Sequence, residues 1–336
     1  MRNILQNSIL VLSFGVLLSG CAIKVETAKL VPAGSTNVTT YKNVAVLDFT
    51  GNIGQDVARK IETVIVDAEV NKKKQFQLVD RTHFDTVLKE QKFQMTMANE
   101  DSIVKLGELI GAEAMWTGHA VKKEEHQNSY EERRTCGSYD SAGNCTNYYN
   151  KKIPCTTKIV NVNVMPKLIS VSTGEVVYSD SFLKTEKSKS CKEGGYDGLS
   201  YSQLYDKSIN SILKEFRIAI APYLEHVEIS LMDSTKGIVD KKAKELLKSG
   251  LSYAKNSRME RACELWKKGL ALEKESISLL YNVGICYELE NNFEEALNYF
   301  NKADYVAGKP IDKISEAIDR ANLGIERSNM LKRQIK

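Results

Sequence analysis

The chain has 336 residues, with 47 Lys and Arg against 43 Asp and Glu, a net charge of +4 and 42% hydrophobic residues. A small, evenly spread charge does not suit a nucleic-acid binder, and the length fits two domains. Read from the start, Met1-Arg2-Asn3 is short and basic, Ile4 to Leu18 is mostly apolar, and Leu18-Ser19-Gly20-Cys21 follows. That order predicts an export signal over residues 1–20. Its apolar part is too short for a permanent transmembrane helix, and no later run approaches 18 consecutive apolar residues.

Leu18-Ser19-Gly20-Cys21 resembles the lipobox of bacterial lipoproteins. The resemblance implies cleavage before Cys21 and acylation of its thiol, with no other cofactor. Each buried CH₂ contributes about 0.8 kcal/mol, so two or three chains of palmitate size anchor stably where one does not. Ala22 stands where lipoproteins kept in the inner membrane often carry Asp, so the resemblance points to the outer membrane, facing the periplasm. Residues 21–40 are polar and small around Pro32-Ala33-Gly34-Ser35-Thr36-Asn37 and are expected to form a lipidated tether.

A globular pattern begins at Tyr41. Val44-Ala45-Val46-Leu47-Asp48-Phe49 predicts a strand with little exposure, and Gly51-Asn52-Ile53-Gly54 turns it. Val57, Ile61, Val64, Ile65 and Ala68 recur at helical spacing. Phe76 to Val79 reads as a second strand. Phe84, Val87, Leu88 and Gln91 suit a helix, as do Ile103, Leu106, Leu109 and Ile110. Ala114 to Gly118 is a third strand, and the alternation implies an α/β layer structure. A helix over Tyr201 to Tyr223 closes this domain, placed at residues 41–226.

Six further cysteines remain, and an exported protein meets an oxidising compartment where cysteines pair. No C-x-x-C pair occurs and His83, His119, His126 and His226 are scattered, so no metal site is expected. Thr157 to Ile169 and Glu175 to Lys184 read as a hairpin about Ser172-Thr173-Gly174. Centring its turn near Thr173 sets Val164 opposite Phe182, Leu168 opposite Tyr178 and Cys155 opposite Cys191. A Cys155–Cys191 disulfide is therefore predicted, with Cys136–Cys145 closing a small loop. The other two connectivities of these four cysteines stay open.

Gly250, Tyr253, Ala262, Trp266 and Gly269 recur 34 residues later as Gly284, Tyr287, Ala296, Phe300 and Ala303. The pattern resembles the tetratricopeptide repeat, in which small residues let antiparallel helices approach and aromatics fill the gaps. An all-α module is expected over 235–334, with repeats at about 243–276 and 277–310, a capping helix over Ile311 to Gln334, and residues 227–242 completing the stack. By family pattern, Leu251, Lys255, Tyr281, Ile285 and Glu288 line a peptide groove. Repeats that capture a terminal carboxylate usually have Asn where Leu251 and Ile285 stand, so the contact expected is apolar. Cys263 and Cys286 lie on facing helices, either paired or as buried thiols.

Val44-Ala45-Val46-Leu47-Asp48-Phe49, Val79-Asp80-Arg81, Glu90-Gln91, Leu106-Gly107, Gly111-Ala112, Gly118 and Ser172-Thr173-Gly174-Glu175 occur in the order of the CsgG family of curli-production lipoproteins. The resemblance covers roughly 41–225 and implies an α/β core with a mixed sheet. It extends to flagellar outer-membrane lipoproteins and lipoprotein activators of penicillin-binding proteins. Family members that secrete amyloid subunits have a pore-narrowing loop and two barrel hairpins per subunit. Here Gly51 to Gly54 is only a tight turn. Val121 to Thr156 carries Lys122-Lys123-Glu124-Glu125 and Glu131-Glu132-Arg133-Arg134, adjacent charges that put at least one toward lipid in any register. The second stretch is expected to be a solvated loop.

Gly51-x-x-Gly54 lacks the Lys-Ser/Thr of a P-loop and the third Gly of a dinucleotide fingerprint, so it reads as a structural turn. Asp48 is expected to serve a helix start and His83 a polar surface. No catalytic constellation stands out. The function expected is a non-enzymatic outer-membrane scaffold or adaptor that binds an envelope protein through its repeats. An oligomeric secretion channel and an activator of an envelope enzyme such as a peptidoglycan synthase are the alternatives.

Overall fold

The computed structural model describes residues 23–70, 72–80, 86, 100–193 and 198–335. Cys21, the export signal, His83, Glu90-Gln91 and the helix expected around Phe84 to Gln91 lie outside these residues. The chain divides into two compact units. One holds Leu30–Glu225 with Arg327–Lys336, and the other runs through Lys29 and takes up His226–Glu326.

The first unit is built on a mixed sheet. Strand β2 (Asn43–Val46) is followed by a small antiparallel pair, β3 (Glu69–Val70) and β4 (Lys73–Lys74), and itself pairs in parallel with β5 (Gln77–Leu78) and with β6 (Ala114–Tyr139); β6 is antiparallel to β7 (Cys145–Ser170). Strand β7 then carries β8 (Val176–Ser179) and β9 (Phe182–Cys191) along the same edge. Apolar residues occupy both faces of β2, so both faces are covered. Val44 and Val46 pack under α2 (Gly54–Val66) and α4 (Tyr201–Ile220), through Val57, Ile61, Ile65, Ile212 and Phe216. Ala45 and Leu47 pack with Ile103, Leu106 and Ile110 of α3 (Glu100–Ile110). Helix α4 starts on a capping box, Ser200 and Gln203, which satisfies two otherwise unpaired amides.

Three expectations need correction here. The tether is structured: β1 (Lys24–Val31) pairs with β10 (Tyr223–Ser230), followed by a short α1 (Thr36–Thr39). Lys24-Val25-Glu26-Thr27 alternates at the period of a half-buried strand, and Val25, Val31 and Val38 are buried. The closing helix ends at Ile220, and the chain re-enters a strand at Tyr223. The solvated loop at Glu131-Glu132-Arg133-Arg134 is strand: β6 and β7 are each 26 residues and pair from Ala114↔Ser170 out to Tyr139↔Cys145. Beyond Ser129↔Cys155 this hairpin runs on as a two-stranded ribbon, flanked at its base by Lys192 and Glu193, with Ile153 fully buried there. The predicted register at its base is present, with Val164↔Phe182, Leu168↔Tyr178 and Cys155↔Cys191.

The second unit is helical: α5 (Lys241–Lys255), α6 (Met259–Leu272), α7 (Ile277–Leu289), α8 (Phe293–Ala307) and the part of α9 (Asp312–Gln334) up to Glu326. Gly250 of α5 lies against the Trp266 indole, and Gly284 of α7 lies against the Phe300 ring in the same relation. A Cβ on either glycine would collide with the ring, so the 34-residue recurrence is a recurrence of close helix–helix contacts. The stretch expected to complete the stack is not helical: residues 231–240 run irregularly, with Leu231, Met232 and Ile238 buried in the unit's core.

Disulfides join Cys136 to Cys145, Cys155 to Cys191 and Cys263 to Cys286, with Cα–Cα separations of 5.8, 4.0 and 5.8 Å. The third bond ties α6 to α7 and settles the pair left open above.

Candidate functional site

Helix α7 is mostly apolar, Ile277-Ser278-Leu279-Leu280-Tyr281-Asn282-Val283, and is buried on every side. A helix of this kind has no solvent face. One side meets α6 and α8. On the other, Ser278, Tyr281, Asn282, Ile285 and Glu288 recur at helical spacing, and this side holds an extended stretch of the same unit.

Asn282, fully buried, grips Met232 at both main-chain atoms. The Met232 amide donates to Asn282 Oδ1 at 2.9 Å, and Asn282 Nδ2 donates to the Met232 carbonyl at 2.8 Å. Tyr281 Oη donates to the Ser230 carbonyl at 2.9 Å, and Ser278 Oγ to the Ser234 carbonyl at 2.7 Å. Lys313 Nζ donates to the Leu231 carbonyl at 3.3 Å. Burial pushes the Tyr281 hydroxyl above its ordinary pKa, which keeps it a donor. Further along, both the Val239 and Asp240 amides donate to Glu273 Oε2, at 2.8 and 3.0 Å. The polar contacts fall on the main chain, and the apolar side chains of Leu231 and Met232 sink into the core.

The residues predicted to line an open groove are therefore not free. Leu251, Tyr281, Ile285 and Glu288 are buried, and Lys255 is exposed at the end of α5. Tyr281 is committed to Ser230. Glu288 is committed to two cations: Arg320 holds it with two 2.9 Å bonds from Nε and Nη2, and Lys29 Nζ makes a further contact to Oε1. Burial pulls the Glu288 pKa up, but Arg320 and then Lys29 outweigh it and hold the carboxyl below its ordinary value. Asn282 was missed by sequence reasoning. The signal was present: one amide inside an otherwise apolar helix must find partners or cost free energy.

The β6–β7 ribbon is the other conspicuous feature. Beyond the Cys155–Cys191 bond each strand runs ten further residues, roughly 33 Å. One face sets Glu132 opposite Lys152 and Arg134 opposite Asn150; the other sets Glu131 opposite Ile153 and Arg133 opposite Lys151. Tyr130, Tyr139, Tyr148 and Tyr149 are exposed along it, and the Arg134 guanidinium lies 3.9 Å from the Tyr148 ring centroid. Asp140 closes the tip, accepting from the Asn144 and Ala142 amides at 2.8 and 3.0 Å.

Two sites with possible ligand chemistry resolve into structure. Glu131, Cys155 and Cys191 converge within 4.8 Å, but both sulfurs are consumed in a disulfide and Lys189 holds Glu131. The turn Gly51 to Gly54 borders a cleft of about 540 Å³ whose charged lining is Asp56, Asp206 and Lys60. Asp56 is engaged by Lys60 and by the Tyr205 hydroxyl, an acidic surround ill suited to phosphate. Gly51 has φ +95° with its Cα packed on the Ala120 carbonyl, and Gly54 packs on the Phe49 carbonyl, so these glycines serve close backbone approach. Asp48 accepts from the Gln55 side chain at 3.5 Å, whereas the helix start itself has no side-chain cap.

A family profile described as "Curli production assembly/transport component CsgG" matches residues 33–250, and one described as a domain of unknown function, DUF6340, matches 248–326. No curated protein matches the sequence. Among solved structures, the LpoB C-terminal domain from Salmonella enterica is 12% identical, covering 46% of this chain and 84% of that one at a TM-score of 0.27. The lipoprotein GNA1162 from Neisseria meningitidis is 9% identical over 52% and 97%, at 0.27. The PelC dodecamer from Paraburkholderia phytofirmans is 16% identical over 58% and 98%, at 0.24. At such TM-scores they say nothing of role.

Proposed function

This chain belongs to the CsgG family, and from that premise we propose that it is a lipid-anchored envelope protein that works by holding other proteins, with no chemistry of its own. Acyl chains on Cys21 tie it to the outer membrane on the periplasmic side. The CsgG-type unit places the helical unit there, and the helical unit, read as tetratricopeptide repeats, meets the partner. The observation that carries this reading is the inner side of α7, where donors and acceptors are arranged to hold an extended main chain.

The test is crosslinking in intact cells. A photoreactive residue at Tyr305, which is 88% exposed on the helical unit, is expected to capture a discrete envelope protein from the membrane fraction. A Cys21→Ser variant is expected to leave that fraction and lose the crosslink. Unchanged fractionation of Cys21→Ser together with no captured protein would overturn the reading. Stimulation of a purified peptidoglycan synthase would refine the adaptor into an activator.

One observation favours a second reading, an oligomeric secretion channel. The ribbon beyond Cys155–Cys191 has ten residues per strand, and a barrel strand needs about 9–11. Against it, both ribbon faces carry charge, and a midplane Arg or Lys facing lipid costs about 2–4 kcal/mol. Stepwise conductance of the purified protein in planar bilayers would favour the channel.

A further inference from the structure

We infer that the inner side of α7 is a peptide site kept closed in cis by the chain's own segment Ser230 to Ile238, and that a partner's peptide enters by displacing this segment. The inference rests on the adaptor reading and adds its ligand class and its control.

The geometry defines the ligand. Carbonyls of Ser230, Leu231, Met232 and Ser234 and the amide of Met232 are all taken by side chains of Ser278, Tyr281, Asn282 and Lys313. Recognition through main-chain atoms demands an extended backbone and tolerates many sequences. Sequence preference comes from what is buried: the adjacent pair Leu231 and Met232, and Ile238 six residues on. Between them Asp233, Ser234, Lys236 and Gly237 are exposed, so that stretch can vary. The ligand is therefore a peptide with two adjacent large apolar residues in an extended stretch, then a polar turn like Thr235 to Ile238 that returns a third apolar residue to the core. The side chains of Ser278, Tyr281 and Asn282 spend these bonds on the cis segment, which shares their unit and has a high local concentration. Free peptide is thus excluded until that segment lets go.

The probe is a fluorescent synthetic peptide spanning residues 227–239, titrated into the full-length protein and followed by anisotropy. The parent is expected to bind it at least tenfold more weakly than a Met232→Pro variant, which loses the amide that Asn282 accepts. A Leu231→Ala variant retains every main-chain contact and loses only a buried side chain; it is expected to bind at an intermediate level. Adding Asn282→Leu to either variant is expected to abolish binding. Failure of the peptide to bind Leu231→Ala and Met232→Pro, or binding that is indifferent to Asn282, would overturn the inference. These outcomes are read on purified protein, so a groove that binds peptide while cells yield no crosslinked partner would sink the adaptor reading alone.

Discussion

The helical unit and the β6–β7 ribbon use the same kinds of residue to opposite ends. In the helical unit the aromatic side chains at the repeat contacts are swallowed: Trp266 and Phe300 are fully buried against Gly250 and Gly284. Along the ribbon, Tyr130 and Tyr139 are about two-thirds exposed, and charges alternate on both faces. Ion pairs differ likewise. Glu288 is fully buried between Arg320 and Lys29, whereas Glu131–Lys189 and Glu193–Lys151 sit half in water. One region is specified by packing and tolerates little; the other is held by main-chain pairing and two disulfides, leaving its surface free to vary.

The sharpest way to break this contrast is Trp266→Ala. It empties a fully buried site and removes the Nε1 bond to the Leu247 carbonyl, so thermal or urea unfolding should show a loss of about 3–5 kcal/mol. Glu288→Gln comes next. Removing the buried charge leaves Arg320 and Lys29 uncompensated, at a cost of about 3 kcal/mol, below the fully buried limit because both cations are partly hydrated. Because the folded carboxyl is held below its ordinary value, the ion cluster contributes fully above about pH 4.5 and is lost as pH falls through the depressed value. Parent stability should therefore drop in acid, and Glu288→Gln should flatten that limb. Gly284→Ala forces a methyl into the Phe300 ring and should cost about 1–3 kcal/mol by the same unfolding assay. Tyr130→Ala on the ribbon should shift stability by less than about 0.5 kcal/mol; a larger loss would mean that the exposed Tyr130 ring is packed against something.

What could be read from the sequence follows the same divide. Val44 to Phe49 was legible because a strand covered on both faces is a continuous apolar run, and the Gly250/Trp266 recurrence because burial repeats every 34 residues. The Cys155–Cys191 register was legible because Val164–Phe182 and Leu168–Tyr178 had to match. The ribbon was not: apart from Ile153 it is largely wet on both faces and has no hydrophobic period, and Glu131-Glu132-Arg133-Arg134 looks like loop. β1 was hidden for a different reason, since Pro32 to Asn37 dominated the composition and masked the alternation of Lys24 to Val31. The filled α7 side was half visible. A largely apolar helix with a few buried polar residues says that both sides are covered, but not by which segment, because main-chain recognition leaves no mark on the sequence recognised.

Amide hydrogen exchange under native conditions tests the central claim most directly, since one sample reports on both regions. The account predicts that the Leu231 and Met232 amides, bonded to the Ile23 carbonyl and Asn282, exchange as slowly as the core of α7 and at least tenfold more slowly than the ribbon tip around Asp140. Exchange of Leu231 and Met232 as fast as the tip would contradict it.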